Sequence, residues 1–353
     1  MPPALDRQSR SRRTSARGWT RLSDEELLDL RFCDLNLALD GTALERRLTR
    51  RLFGELERRG ITFRPHLWLA EEWFSPDGVP GIAVPFYLAH PRLLRLERAM
   101  MGEVEGGNAN WMIRILRHEA GHAIDTAYNL RRRRSYAAMF GSPTQPYPER
   151  YRARPGSRRF VHHLGDWYAQ SHPTEDFAET FAVWLKPNSD WRRSYRDWPA
   201  ALAKLEYVDE TMRQLRGRAP RVRTRRRIEC LSRNRRTLRE HYAERLARIE
   251  RTRSRAADGV LQRVFTTRPA RRVAPRASVL LRAVKPRLVD SVARTAGVDR
   301  YSVYQVLRRA TLRAQQLKLH VRGSRRDALR RSRRMIARLV RLYGKGSGQQ
   351  LPL

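Results

Sequence analysis

His118-Glu119-Ala120-Gly121-His122, inside the stretch WMIRILRHEAGHAIDTAYNL (111–130), decides how this chain is read. Met112, Ile115, Leu116, Ala120 and Ala123 recur at helical spacing, which predicts a helix over about 110–130. On that helix positions i and i+4 share one face, so His118 and His122 can aim ring nitrogens at one divalent cation. Glu119 is rotated away from direct ligation but can reach a water held at the same place. Gly121 leaves room for a second backbone to approach. A Lewis acid with a carboxylate base beside it is the equipment for metal-assisted hydrolysis.

A catalytic metal site of this kind needs a third protein ligand and an open position. Downstream, the candidates are His162, His163, His172, Glu175, Asp176 and Glu179. In Pro173-Thr174-Glu175-Asp176-Phe177-Ala178-Glu179-Thr180-Phe181, the two glutamates are four apart and share a face. Phe177, Phe181 and Trp184 form the apolar stripe that docks this second helix, expected over about 174–185. Two carboxylates so placed suit one ligand and one outer acceptor, the latter fixing a ligand histidine through its other ring N–H. The spacing alone does not say which is which.

Upstream, the chain reads as strands and a helix. Leu30–Leu39 alternates enough to suggest a strand. Thr42, with Glu45 three residues on, has the signature of a capping box and opens a helix to about Arg59. Ile61–Ala70 and Gly81–Leu88 read as two more strands, separated by a turn at Pro76, Asp77, Gly78 and Pro80. Pro85 lacks a ladder donor and places its strand at an edge, where an extended peptide can add itself. Residues 131–165 look irregular, and 200–215 helical.

Charge divides the chain. Its 353 residues carry a formal net charge of +38. Of this, residues 1–22 contribute +5, residues 23–217 only +2 and residues 218–353 the remaining +31. The step near Gly217 is the best boundary on offer, giving a basic disordered tail (1–22), a near-neutral domain (23–217) and a basic helical region (218–353). In the last, breaks are expected near Pro269, Pro275, Pro286, Gly297 and Gly323. Residues 288–307 resemble a helix-turn-helix, with Arg300, Ser302, Tyr304 and Gln305 available to a groove, although plain helical packing is favoured. Such a region attracts polyanions, whether nucleic acid or an anionic surface. Two distant cysteines, Cys33 and Cys230, form no framework, and no long apolar run or secretory h-region is present. Together these point to a soluble, cytoplasmic protein.

HEAGHAID (118–125), YAQSHPTEDFAETF (168–181) and SPDGVPGIAVPFYLAHPRL (75–93) carry a resemblance to a bacterial family of zinc-binding metallopeptidases, extending over about residues 27–212. The site also resembles that of anthrax lethal-factor-like peptidases, which are gluzincins. Carried over, this likeness implies that Glu175 is the third zinc ligand and Glu179 the outer partner of a ligand histidine. It further implies that Tyr168, seven residues before Glu175, donates to the oxyanion. The interval between the two motifs differs, so the likeness does not extend to 131–165.

The expected fold is therefore α+β: a small mixed sheet, the HExxH helix packed on it and the glutamate helix crossing beside it, followed by an Arg-rich all-α region. The expected function is zinc-dependent peptide hydrolysis with Glu119 as general base. The rival reading is a nucleic-acid-binding protein with a non-catalytic zincin domain and a basic helical module.

Overall fold

The computed structural model describes residues 18–148, 150–251, 255–268, 274–344 and 351–352. Most of the expected tail, and the expected break at Pro269, lie outside them. Trp19, placed in that tail, is instead buried, and its indole N–H donates to the Leu35 carbonyl at 3.0 Å.

A short helix, Asp24–Leu28 (α1), carries a reciprocal capping box between Ser23 and Glu26. Leu30–Leu39 is not a strand. Asp34 accepts from the Arg31 N–H at 3.1 Å, which tightens Phe32–Leu35 into a 3-10 turn ended by Asn36 at φ 44°. Its alternation is real but serves a partner 200 residues away, since Phe32 and Cys33 N–H donate to the carbonyls of Arg236 and Asn234. Ala43–Arg58 (α2) begins at Thr42, whose hydroxyl accepts from Glu45 N–H at 3.1 Å, while Glu45 reaches back to Gly41 N–H.

The expected strands shorten to His66–Ala70 (β1) and Gly81–Pro85 (β2), paired in parallel from His66 opposite Gly81 to Ala70 opposite Pro85. Ala83 N–H donates to the Phe74 carbonyl at 2.8 Å on the opposite edge, an antiparallel bridge that makes this sheet mixed but minimal. Every residue of β2 is buried, and Phe74 holds the edge on which a peptide strand was expected to add. That docking mode is not available without displacing Phe74.

Pro91–Met101 (α3) leads to Ala109–Tyr128 (α4), the HExxH helix, capped by Asn108 and ended at Asn129 with φ 52°. The stretch 131–165, expected to be irregular, opens instead with a short helix, Arg134–Phe140 (α5), and is mostly irregular after it among the described residues. A two-residue strand, Arg150–Tyr151 (β3), runs through it. Pro173–Leu185 (α6) is the glutamate helix, and every one of its side chains is buried. Trp191–Ser194 (α7) and Pro199–Gln214 (α8) follow.

Residues 218–237 contain no α-helix, only a 3-10 turn at Leu231–Arg233, contrary to the expectation for a helical region. They form an irregular segment against the preceding elements: Arg221 and Val222 N–H donate to Ala127, and Trp68 donates to Ile228 at 2.8 Å. Then come Leu238–Arg251 (α9), Arg255–Val264 (α10), Phe265–Thr266 (β4), Ala277–Ala283 (α11), Lys285–Ala296 (α12), Arg300–Gln316 (α13), His320–Val321 (β5) and Arg325–Gly344 (α14). β4 and β5 pair antiparallel, so this region is helical with a small ladder rather than all-α. Leu351–Pro352 (β6) pairs with β3.

Two apolar cores result. The larger gathers α2, the sheet, α4, α6 and α8, and takes in Leu231, Leu238 and Tyr242 from beyond the charge step. The second is built from α10–α14, together with Tyr151 and Trp167. Of the four residues expected to face a groove, Ser302 and Gln305 are each 2% exposed, the first held by Asp299, whereas Arg300 is exposed and Tyr304 partly buried.

The two site helices cross where each is smallest. A Cβ added at Gly121 would lie 2.9 Å from the Ala178 Cα and 3.2 Å from its carbonyl oxygen, and neither atom can move without the helix. Arg117 then fixes the rotation of α4 through a buried two-pronged pair with Glu55 of α2, at 2.6 and 2.7 Å. Gly121→Ala is accordingly expected to destabilise the protein by about 1–3 kcal/mol in urea unfolding, overriding alanine's better helix propensity. A neutral or stabilising effect would contradict this crossing.

Candidate metal centre

Three predicted residues meet at one point. His118 Nε2 lies 3.0 Å and His122 Nε2 3.2 Å from Glu175 Oε2, and the two nitrogens are 3.2 Å apart. All three side chains are buried. The tautomer of His118 follows from its other side, where Nδ1–H donates to Glu179 Oε1 at 2.9 Å. Its Nε2 therefore presents a lone pair to the cluster. The second oxygen of Glu179 accepts from Leu164 N–H at 2.8 Å, so this carboxylate is held from both ends.

Electrostatics shows what the cluster lacks. Burial alone would raise Glu175 and lower His118. The neighbouring imidazoles nevertheless hold Glu175 well below the ordinary carboxylate range, and Glu175 with Glu179 pushes His118 well above the ordinary imidazole value. Glu179 is likewise lowered, chiefly by its hydrogen bond with His118, against the pull of burial. Two buried anions thus demand a positive charge between them, supplied by a proton or by a metal ion. A cation fits: donors bound tetrahedrally at about 2.0–2.1 Å stand about 3.3 Å apart, close to the spacing here. Among the described residues this is the group of three or more potential ligands able to hold a metal ion.

Glu119 projects beside this group into a cleft of about 1040 Å³, and its buried Oε2 has no hydrogen-bond partner. Burial raises its carboxyl above the ordinary value, an effect that His118 and His122 oppose. Tyr168 lines the same cleft, its ring 5.5 Å from that of His118, and burial raises its phenol well above 10. It sits on a strained loop, for Asp166 and Trp167 both have positive φ, 61° and 57°. The strain is held by the second core. Trp167 is buried there, Arg309 binds Asp166 at 2.6 Å, and Tyr301 donates to the Leu164 carbonyl at 2.5 Å.

Residues 97–210 match the family model described as "Putative zinc-binding metallo-peptidase". The matched segment contains both motif helices and the loop between them. No curated protein and no solved structure matches the chain.

The remaining histidine and aspartate candidates are not in the cluster. His163 Nε2 contacts the Arg114 carbonyl at 2.8 Å, with its pKa pulled down to about 4 by burial. His162 stacks on Tyr301 at 4.0 Å. His172 caps α6: its Nδ1 accepts from Thr174 N–H, which leaves Nε2–H to donate to the Gln145 carbonyl at 2.9 Å. Asp176 binds Lys204 at 2.5 Å.

Two residues were not anticipated. Tyr147 stacks on His172 at 3.8 Å and donates to Glu175 Oε1 at 2.9 Å, fixing the carboxylate from the side opposite the histidines. Its only sequence signal is an aromatic between prolines in an irregular stretch. Asp125, in the HEAGHAID segment, accepts from Arg131 N–H and Nε, each at 2.8 Å, and anchors the end of α4. Arg131 also pairs with Asp77 in the SPDG turn.

The Asp176–Lys204 pair locks α6 to α8 one residue from Glu175. Burial pushes the Asp176 carboxyl up to about 7 even with the ammonium beside it. Lys204→Met leaves that carboxyl alone and is expected to cost about 3–5 kcal/mol near neutrality. Since the wild-type carboxyl ionises near 7 in the folded protein and, without the ammonium, would ionise only higher, the deficit should widen as pH rises through about 7. Thermal melts from pH 4 to 8 measure it, and a deficit that shrinks with pH would contradict the assignment.

Proposed function

We propose that the chain is a zinc-dependent peptidase of the gluzincin type, with His118, His122 and Glu175 as metal ligands and Glu119 as general base. The observation that carries this reading is the convergence of three lone-pair atoms within 3.0–3.2 Å of one another, beside a carboxylate oxygen left without a partner on an open cleft. A structural metal site has no use for the last of these.

Zinc held there would supply a Lewis acid that acidifies water and polarises a carbonyl. The chain's own residues do the rest. Glu119 Oε2 takes a proton from the attacking water and passes it to the departing amine. Tyr168 stays protonated, because burial raises its phenol, and donates to the oxygen that gains charge. Glu179 accepts the Nδ1 proton of His118, so that Nε2 is always the nitrogen offered to the cation. Tyr147 performs the same orienting service for Glu175. The lethal-factor-like arrangement supports these roles for Glu175, Glu179 and Tyr168, and the family match over 97–210 supports a peptide substrate.

The nucleic-acid alternative has less in its favour, because of the four residues expected to read a groove Ser302 is buried and held by Asp299, while Tyr304 and Gln305 line the cleft beside the metal ligands. Glu119→Gln is expected to retain one equivalent of zinc by elemental analysis while losing about 10²–10⁴-fold in hydrolysis of an unstructured protein substrate. Hydrolysis at the wild-type rate in that variant would remove Glu119 from the reaction.

A further inference from the structure

The cleft that Glu119 lines is not built by the motif helices alone. α11, α12 and α13 of the cationic region form its opposing wall. Some of the cations lining it are neutralised in place: Arg248 lies 2.9 Å from Glu72, and Arg308 pairs with Glu103 and lies 3.6 Å from Asp166. Arg98, Arg114, Arg282 and Lys285 also line it, and none of them has a carboxylate partner within 4.0 Å among the described residues. Arg282 donates to the Gln315 amide oxygen. Lys285 contacts the Tyr304 hydroxyl at 3.1 Å and lies over its ring at 4.2 Å. Both partners are neutral, so the charges remain available.

Arg114 stands one helical turn before His118 on α4, on the same face. Arg98 belongs to the turn ending at Gly102, which packs against Gln315, the residue that holds Arg282. The four charges therefore share one cleft with the reaction centre. Among the described residues Glu105 is the non-catalytic carboxylate of this cleft that takes no ion pair within 4.0 Å, so the cations remain in excess.

An independent observation points to a ligand. Gln305 lines the cleft and is 2% exposed, yet its amide oxygen has no hydrogen-bond partner. A buried acceptor left without a donor is costly, and a backbone N–H is the donor that any peptide offers.

We propose that this cleft selects polypeptides carrying acidic side chains beside the bond to be cut, with Arg114, Arg282 and Lys285 receiving the carboxylates and Gln305 a backbone N–H. The assignment rests on the peptidase reading. A nucleic-acid strand fits less well, since it bears a charge at every residue and would meet Glu72, Glu103, Glu105 and Asp166 in the same space. A peptide can place its charges selectively.

The test uses the full-length, zinc-loaded Glu119→Gln protein and fluorescent decapeptides of acidic, neutral and basic sequence, read by anisotropy. The acidic peptide should bind about tenfold more tightly than the neutral one, as two or three exposed ion pairs allow. The preference should weaken with salt. Arg282→Glu with Lys285→Glu should abolish or invert the acidic-to-neutral ratio. Arg114→Glu, a single change on an exposed position of α4, should reduce it as a second and independent variant. Because the ratio is taken within one preparation, partial misfolding does not produce it. Equal affinity for the three peptides, or a ratio indifferent to these variants, would overturn the proposal. So would displacement of the acidic peptide by a single-stranded oligonucleotide of equal charge at lower concentration. Cleavage of the same peptides by zinc-loaded wild type separates the two readings: binding preference without any cleavage supports the acidic subsite and removes the peptidase.

Discussion

Everything in the site depends on how closely α4 and α6 approach at Gly121 and Ala178. Helices crossing with larger side chains between them stay 8–10 Å apart. Here the missing Cβ of Gly121 brings the Ala178 backbone within contact, so that a carboxylate on one helix reaches two imidazoles on the other. Sterics sets the distance and electrostatics then makes it matter. Glu175 and Glu179 are buried beside His118, and their charge is tolerable only with a proton or a metal ion among them. Packing that brought acids and imidazoles together without a cation would be unfavourable, because buried charge needs compensation.

The cationic region belongs to the site rather than to a separate appendage. Its core accepts Trp167, and its Tyr301 and Arg309 restrain the loop carrying Leu164, Asp166 and Tyr168. Two consecutive non-glycine residues with positive φ are costly, and such strain persists only where the surroundings over-determine it. That loop makes two contacts to the site in five residues: Leu164 N–H onto Glu179, and Tyr168 onto the cleft. The same helices close the cleft's far wall. Loss of this region would therefore be felt at the His118–His122–Glu175 cluster and not merely at a surface.

How much of this was legible in the sequence varied with the range of the interaction. The two motif helices were, because helical periodicity and capping are local: Asn108 and His172 start them within a residue or two of expectation. The convergence of His118, His122 and Glu175 was read from spacing and resemblance together. What failed was long-range. Alternation at 30–39 suggested a strand, but its partner is 234–238, and Asp34 offers a local turn instead. The charge step at Gly217 marks composition, whereas packing carries residues through Tyr242 into the first core. Charge governs solvation and binding, and does not say which apolar face covers which. Ser302 and Gln305 looked exposed by helix phase, yet α13 turns them inward. Tyr147 reaches Glu175 through a stack on His172 that no local pattern encodes.

The central claim is that two imidazoles and one carboxylate, drawn from two helices, bind a single zinc ion. X-ray absorption at the zinc edge of the purified, zinc-loaded protein tests it most directly, in wild type and in Glu175→Gln. The account predicts one zinc per chain, with two imidazole scatterers and further nitrogen or oxygen donors at about 2.0–2.1 Å, and a weakened, altered shell in the variant. Zinc bound through sulfur, bound with fewer than two imidazoles, or unmoved by loss of the Glu175 carboxylate would contradict it.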